Sequence, residues 1–153
     1  MEGMTDPEPL GYTGFLIRRA QQTHVAVWQQ EVSASVSSVQ YGVLAVLARR
    51  PGASQRELGD ELDLDRSTVA DLVSRLQRRG LLQRERHDGD RRRNTVELTD
   101  AGREQVEELR PRVEAVEHVL TDGLSPEDRR ELRSLLMRVL SVSRRPRTAE
   151  RSA

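Results

Sequence analysis

Apolar residues recur at helical spacing over most of the chain, and capping signals mark where the helices begin. Residues 15–30 lack glycine and proline and place apolar side chains among arginine and glutamine, which predicts a first helix. Ser37–Gln40 and Ser54–Glu57 each set a serine three residues before a side chain that can bond back to the backbone. The first of these boxes predicts a helix that ends at Pro51, and the second predicts a short helix that ends near Asp63.

The next helix has the clearest amphipathic stripe in the sequence. Asp65 can cap its start, and Gly80 is placed to end it, with Leu81 folding back over the end. Four apolar residues recur at helical spacing and form one predicted buried face: Val69, Leu72, Val73 and Leu76. Two short helices joined by a tight connection therefore stand in the centre of the chain, as they do in a helix-turn-helix.

After these two helices the pattern changes to that of strands. Leu82–Arg86 and Thr95–Leu98 flank Asp88-Gly89, a combination that predicts a hairpin with a charged loop. A hairpin that follows a helix-turn-helix is the wing of a winged helix. The formal net charge of the chain is zero, yet residues 75–93 hold eight arginines against three acidic residues. Positive charge is thus concentrated on the second helix and the wing, as in proteins that bind nucleic acid.

Two long helices follow the wing. Thr99 and Asp100 can cap the first, and Pro111 inside it predicts a bend rather than a break. Its apolar residues form a heptad-like seam of Val106, Leu109, Val113, Val116 and Leu120. Ser125 and Pro126 open the last helix. The predicted buried side of that helix consists of Leu132, Leu135, Leu136, Val139 and Leu140.

Together these elements predict a mainly α protein with a small β wing, a six-helix winged helix-turn-helix in a single domain of residues 1–153. Only 35% of the residues are apolar, with one Phe and one Trp, which is lean for this length. We therefore expect apolar helices to pack against a second copy as well as within one chain.

Several chemistries are excluded by what the sequence lacks. The absence of cysteine excludes disulfides, thiolate metal sites and thiol redox switches. His24, His87 and His118 lie on separate elements without metal-site spacing, so we expect no metal and no other cofactor. No nucleophile and base pair, phosphate loop or carboxylate pair has supporting context, which argues against an enzyme. The sequence has no apolar run long enough to span a membrane and no export signal, so we expect a cytoplasmic protein without a membrane partner.

The outward face of the second central helix and the wing carry residue types that bind DNA. The candidates on the helix are Arg66, Ser67, Thr68, Ser74 and Arg75. Short hydroxyls near a helix N-terminus can approach phosphates and base edges closely. Arg91, Arg92 and Arg93 at the hairpin tip can enter a narrow minor groove. Asp71 can accept from a cytosine amino group or pair with Arg75; we favour the pair, because a lone carboxylate facing phosphates would cost affinity.

Over residues 12–142 the sequence resembles the MarR family of bacterial regulators. The resemblance rests on the order of six helices and a wing and on four short motifs. These are Arg66-Ser67-Thr68-Val69, Arg75-Leu76 with Arg79-Gly80-Leu81, Asp90-Arg91-Arg92, and Leu98-Thr99 with Gly102. The family binds palindromic double-stranded DNA as homodimers joined through the first, fifth and sixth helices, which implies a repressor and a subunit interface that includes the seam from Val106 to Leu120. The resemblance thus assigns residues 12–32 and 100–143 to dimerisation and residues 37–99 to the DNA-binding lobe. It also implies that Arg91–Arg93 bind the minor groove or its walls. The chain departs from the family at His87, where an Asp is usual, and at Asp71, where an Arg is frequent.

The resemblance also implies how the protein is switched. Family members respond to thiol oxidation, metals or small organic ligands. Because this sequence lacks cysteine and metal-site spacing, an organic ligand is the remaining kind of switch. Arg18, His24 and Trp28 offer a cation, a hydrogen-bonding ring and an aromatic wall, an arrangement similar to that of actinobacterial members that sense protocatechuate and control the β-ketoadipate route. Taken one at a time, the three are more typical of a surface arginine, a core histidine with its hydrogen bonds satisfied, and a packing tryptophan than of a ligand site. A small aromatic acid effector is therefore expected, and the alternative is a constitutive DNA-binding protein without one.

Overall fold

Six helices and three short strands make up residues 7–86 and 94–143, the part of the chain that the computed structural model describes. The helices are α1 (Thr13–Glu31), α2 (Ser38–Arg49), α3 (Gln55–Leu62), α4 (Arg66–Arg78), α5 (Asp100–Thr121) and α6 (Pro126–Ser143). The strands are β1 (Ala53–Ser54), β2 (Leu82–Arg86) and β3 (Asn94–Leu98). The predicted fold class, mainly α with a small β wing, is confirmed.

Both predicted capping boxes are present. The Ser37 hydroxyl accepts from the Gln40 backbone N–H at 3.2 Å, and the Gln40 side chain accepts from the Ser37 N–H at 3.1 Å. Ser54 and Glu57 make the same reciprocal pair, at 3.1 and 2.8 Å. Each box satisfies two backbone donors that a helix start leaves unpaired, and such a cap is worth about 1 kcal/mol. These local bonds fix where α2 and α3 begin.

The end of α4 and the start of α5 are joined at one compact turn. Gly80 adopts a φ of +74°, and the Leu81 N–H donates to the Leu76 carbonyl at 3.0 Å, which closes the helix as predicted. The Thr99 hydroxyl donates to the Gly80 carbonyl at 2.6 Å and accepts from the Gly102 N–H, so Thr99 caps α5. A Cβ on Gly102 would lie 2.1 Å from the Leu81 carbonyl oxygen, so only glycine allows this approach.

The strands form one antiparallel sheet in the order β1-β3-β2. The predicted hairpin is confirmed, with Leu82 opposite Leu98 and Arg84 opposite Val96. The third strand, β1, was not predicted, because two residues are too short to show a period. It pairs Ala53 with Val96 and joins the start of α3 to the sheet.

A first core cluster fills the winged-helix lobe, residues 37–99. It consists mainly of Val43, Leu44, Leu47, Leu58, Val69, Val73, Leu76, Leu82, Val96, Leu98 and Val106. The stripe predicted on α4 is therefore confirmed, with Leu72 partly buried at its margin. Full burial of each such side chain favours folding by about 1.5–3 kcal/mol. Residues of a single chain are therefore enough to form this core.

A second, smaller cluster lies between α1 and α5. It consists of Trp28, Val32, Val36, Leu109 and Val116. The seam predicted on α5 as a subunit interface is thus largely buried within its own chain, and only Leu120, 36% exposed, stands outside. That prediction was wrong because heptad spacing shows that a helix face is apolar without showing which chain covers it. The helix continues across Pro111, as expected.

The apolar side predicted to be buried on α6 is exposed in the single chain. Leu132, Leu135, Leu136, Val139 and Leu140 are 40–53% exposed, and no residue of α6 belongs to either cluster in the described part of the chain. The helix is attached at its start, where Arg129 Nε donates to the carbonyls of Thr121 and Leu124 at 3.2 Å. Within residues 7–86 and 94–143, no helix combines the length and apolar character that crossing a membrane requires.

Candidate nucleic-acid interface and effector residues

The N-terminus of α4 carries a group of polar side chains that Asp65 organises. Its carboxylate accepts from the Thr68 backbone N–H at 2.8 Å, from the Ser67 hydroxyl at 2.7 Å and from the Thr68 hydroxyl at 2.8 Å. The bond from the Thr68 N–H is the main reason that the pKa of Asp65 falls to about 2. Since both hydroxyl protons are donated to Asp65, Ser67 and Thr68 present acceptor lone pairs outward. As held here, they suit the amino groups of bases better than phosphate oxygens.

Asp71 and Arg75 form an ion pair along the outer face of α4. Arg75 Nε lies 2.9 Å from Asp71 Oδ2, and both side chains are more than half exposed. The predicted pairing is confirmed. Because only Nε is used, the terminal nitrogens of Arg75 make no other hydrogen bond within the described residues and can still form a fork with an acceptor.

The wing contacts α4 through an arginine that the sequence analysis did not single out. Arg84 on β2 donates from Nη2 to the Ser74 hydroxyl at 2.9 Å. Ser74 was predicted to meet DNA, and in the structure its hydroxyl accepts the bond that joins the wing to α4. Arg84 belongs to the basic stretch 75–93, which was the available signal, but a bond between a strand and a helix has no local signature.

A groove of about 840 Å³ lies where the starts of α3 and α4 meet β3. Its lining includes Ser54, Gln55, Arg56, Arg66, Ala70 and Thr95. Gln55 Nε2 is buried and has no hydrogen-bond partner, and Arg66 makes no ion pair within residues 7–86 and 94–143. The groove thus places Gln55 and Arg56 beside a predicted DNA-binding arginine. These two residues were not among the predicted site residues, because they precede the helix on which DNA contacts were sought.

Arg91, Arg92 and Arg93, predicted to enter the minor groove, lie outside the described residues, as does His87. The strands that lead to them are described. Of these strands, β2 ends at Arg86 and β3 begins at Asn94.

Of the three predicted effector residues, the structure brings two together. The rings of His24 and Trp28 are 5.9 Å apart in an edge-to-face arrangement, and Trp28 lies at the same distance from Tyr41. Trp28 is buried, and its indole N–H donates to the Val36 carbonyl at 2.7 Å. Arg18 is exposed, without an ion pair or hydrogen bond in the described part of the chain. The structure therefore gives Trp28 a packing role, and its role in an effector site stays a prediction.

Three surface grooves, including the one beside Arg66, lie in the winged-helix lobe or at its border with α5. Their volumes are about 490, 840 and 400 Å³. Arg18, His24 and Trp28 line none of the three. In the single chain Arg18 is therefore exposed, His24 is half-buried and Trp28 is buried, and all three lie outside these grooves.

Comparison with known proteins identifies the family. Residues 34–93 match a family model described as the MarR family. The transcriptional repressor NicR of Pseudomonas putida is 30% identical over 128 residues, which cover 83% of this chain and 81% of NicR. The chain belongs to the MarR family. Because its relatives are named transcriptional regulators, this MarR-family chain is a DNA-binding regulator and not an enzyme.

Two solved structures of regulators are similar to this MarR-family chain over most of its length. The PcaV regulator of Streptomyces coelicolor, in complex with its natural ligand, is 37% identical with a TM-score of 0.86, covering 92% of this chain and 99% of PcaV. Bordetella bronchiseptica BpsR, whose DNA binding is regulated by 6-hydroxynicotinic acid, is 35% identical with a TM-score of 0.76, covering 82% of this chain and 96% of BpsR. The winged-helix fold is thereby confirmed.

Proposed function

We propose that a homodimer of this chain binds a palindromic operator, represses transcription there, and is released when a small aromatic carboxylate binds. Protocatechuate is the first candidate effector. In one chain the winged-helix lobe has a buried core and presents α4 outward, whereas α6 leaves a large apolar face exposed. This contrast carries the proposal. Regulation of BpsR by an aromatic acid supports an effector of this class.

The homodimer is supported by where the exposed apolar residues lie. Most of them occupy the first turns of α1, the last turn of α5 and one side of α6: Leu16, Ile17, Val119, Leu120, Leu132, Leu135, Leu136, Val139 and Leu140. Soluble single chains rarely expose an apolar surface of this extent, and a second copy offers a matching one. A two-fold axis there would set the two α4 helices to enter successive major grooves, about one helical turn apart.

On the operator, Arg66 and Arg75 are placed to bind phosphates or guanine edges, while Ser67, Thr68 and Ser74 face the major groove. Arg91, Arg92 and Arg93 bind the minor groove or its walls. Removing this wing cluster lowers the dependence of affinity on salt by about one unit of slope for each lost phosphate contact. An unchanged slope after replacement of all three arginines would contradict the assignment.

In the effector site, Arg18 binds the carboxylate, His24 bonds to a ring hydroxyl and Trp28 forms a wall. An anion entering a partly apolar site needs a cation, and a guanidinium supplies two parallel hydrogen bonds to a planar carboxylate. Since the indole N–H of Trp28 is already bonded to Val36, Trp28 offers the ligand only its ring. Arg18 follows two exposed apolar residues, Leu16 and Ile17, so the dimer would enclose it.

Titration calorimetry with protocatechuate, together with gel shifts on operator DNA, tests the proposal. We expect Arg18→Ala to abolish effector response while operator affinity stays nearly unchanged. His24→Ala should weaken the response less and favour acids without the hydroxyl. Arg19→Ala, which removes the neighbouring exposed arginine, is the matched control. Equal protocatechuate affinity in wild type and Arg18→Ala would reject the site, and no release at saturating acid would leave a constitutive DNA-binding protein.

A further inference from the structure

The C-terminal end of α4, which is the recognition helix of the proposed function, is bonded to the loop between α1 and α2. Arg79, the residue that caps α4, donates from Nη1 to the Ser35 carbonyl at 2.8 Å, across 44 residues of sequence. The bond is charge-assisted, and such bonds are shorter and stronger than neutral ones. It fixes one end of α4 to a segment outside the winged-helix lobe.

That loop is itself held from two other directions. The Trp28 indole donates to the Val36 carbonyl at 2.7 Å, and Arg112 on α5 donates to the Val32 carbonyl at 3.4 Å. Inside the loop, the Ser33 hydroxyl accepts from the N–H groups of Ser35 and Val36 at 3.0 and 3.1 Å. The adjacent carbonyls of Ser35 and Val36 are therefore held by Arg79 and Trp28 respectively, in one bonded unit.

The loop lies at the border between the two core clusters. Val32 and Val36 belong to the cluster of α1 and α5, whereas α4 contributes only to the cluster of the winged-helix lobe. Tyr41 packs against both clusters, and its ring is 5.9 Å from that of Trp28. The helix α5 also joins the clusters, with Val106 in one and Leu109 in the other. Beside it, Tyr41 and the bond from Arg79 to Ser35 connect the winged-helix lobe to the end of α1.

We propose that Arg79 is a positioning residue that couples the effector residues on α1 to the orientation of the recognition helix. This inference rests on the proposed function and deepens it. Displacement of the Trp28 ring moves the Val36 carbonyl, the neighbouring Ser35 carbonyl moves with it, and Arg79 transfers that movement to α4. Because coupling between two sites is reciprocal, operator binding at α4 changes the surroundings of Trp28 by the same route.

Arg78 provides a matched control for Arg79. The two arginines are consecutive, both are exposed, and both close the same helix. Arg78 makes no hydrogen bond or ion pair within residues 7–86 and 94–143, whereas Arg79 reaches Ser35. Removing either guanidinium changes the net charge equally, so a difference between the two variants reports the bond rather than the charge.

Trp28 is the only tryptophan of the chain, so its fluorescence reports the coupling without any effector. We expect saturating operator DNA to change the emission of Trp28 in wild type. The change should fall below about a third of that value in Arg79→Met, stay in Arg78→Met, and return in Arg79→Lys, whose ammonium can donate to the same carbonyl. No change in wild type, or equal changes in the two Met variants, would overturn the inference.

The second arm measures operator affinity with and without protocatechuate. The ratio of the two affinities, typically 5- to 150-fold in allosteric proteins, should fall at least about fivefold in Arg79→Met and stay unchanged in Arg78→Met. A salt slope about one unit lower in Arg79→Met would mark a phosphate contact instead and would overturn the inference. If protocatechuate fails to release wild type, the proposed function fails, while the fluorescence arm still decides the role of Arg79.

Discussion

The winged-helix lobe and the last helix carry similar amphipathic stripes, yet one chain buries only the first. On α4, Val73 and Leu76 are 0% exposed, because α2, α3 and the sheet surround them. On α6, Leu136 is 42% and Leu140 53% exposed. One chain therefore completes the core of the winged-helix lobe, whereas it leaves an apolar face of the same kind uncovered on α6.

The stability of the two regions should depend differently on protein concentration. Contacts within a chain stabilise it equally at any protein concentration, whereas contacts between copies contribute more as concentration rises. The α1–α5 cluster around Trp28 and Val116 is intermediate, because it belongs to one chain and yet supports the helix that leads to α6. Substitutions in each region should therefore be separable by changing protein concentration alone.

The largest expected effect is in the lobe. Leu76→Ala should lower the free energy of unfolding by about 2–5 kcal/mol, since it removes a fully buried side chain and leaves a cavity. Urea denaturation should give the same loss at low and high protein concentration. Leu72→Ala, at the partly buried margin of the same stripe, should cost less. A loss at Leu76 that grows with protein concentration would erase the distinction between the two regions.

The next effect concerns the apolar face of α6. Leu136→Glu places a carboxylate in the proposed interface, so the dimer dissociation constant should rise at least about tenfold, which is 1.4 kcal/mol. Ser134→Glu introduces the same charge on another side of this helix and should leave dimerisation nearly unchanged. Sedimentation equilibrium measures both. Similar dissociation constants for the two variants would place the interface elsewhere.

The sequence predicted contacts between residues within one helical turn better than contacts between residues far apart in the chain. Ser37, Ser54 and Gly80 were assigned correctly, because a cap depends on residues within one turn. The pair of Asp71 and Arg75 was predicted for the same reason. The bond from Arg79 to Ser35 spans 44 residues and could not be predicted, since it forms only after α4 and the loop between α1 and α2 have come together. The spacing of the apolar residues on α6 likewise does not show whether a partner covers them.

A smaller effect within the lobe depends on pH. Hydrogen bonds from Thr68 and Ser67 lower the pKa of Asp65 from its ordinary value near 3.8 to about 2. The charged cap therefore stabilises the fold above about pH 4, and this contribution is lost as the pH falls through about 2. Asp65→Asn should be less stable than wild type at neutral pH, and the difference should shrink below pH 4. Urea denaturation from pH 2 to 7 measures this, and a constant difference would contradict the assigned cause.

The smallest expected effect on stability is at the DNA-facing surface. Arg75→Ala should change the free energy of unfolding by less than about 1 kcal/mol, because its pair with Asp71 is exposed. Operator affinity should nevertheless fall clearly, since a guanidinium is lost from the reading face of α4. Thermal melting and gel shifts on the same preparations separate the two effects. Unfolding of Arg75→Ala at ordinary temperature would show that this surface is structural instead.

The most direct test of the account is the number of chains bound to a two-fold operator. Sedimentation of wild type and Leu136→Glu with a duplex carrying two half-sites about one helical turn apart provides it. We expect two wild-type chains to bind as one unit and Leu136→Glu to bind weakly. Binding of single wild-type chains to isolated half-sites, with the affinity of the full operator, would contradict the claim that α6 joins two copies.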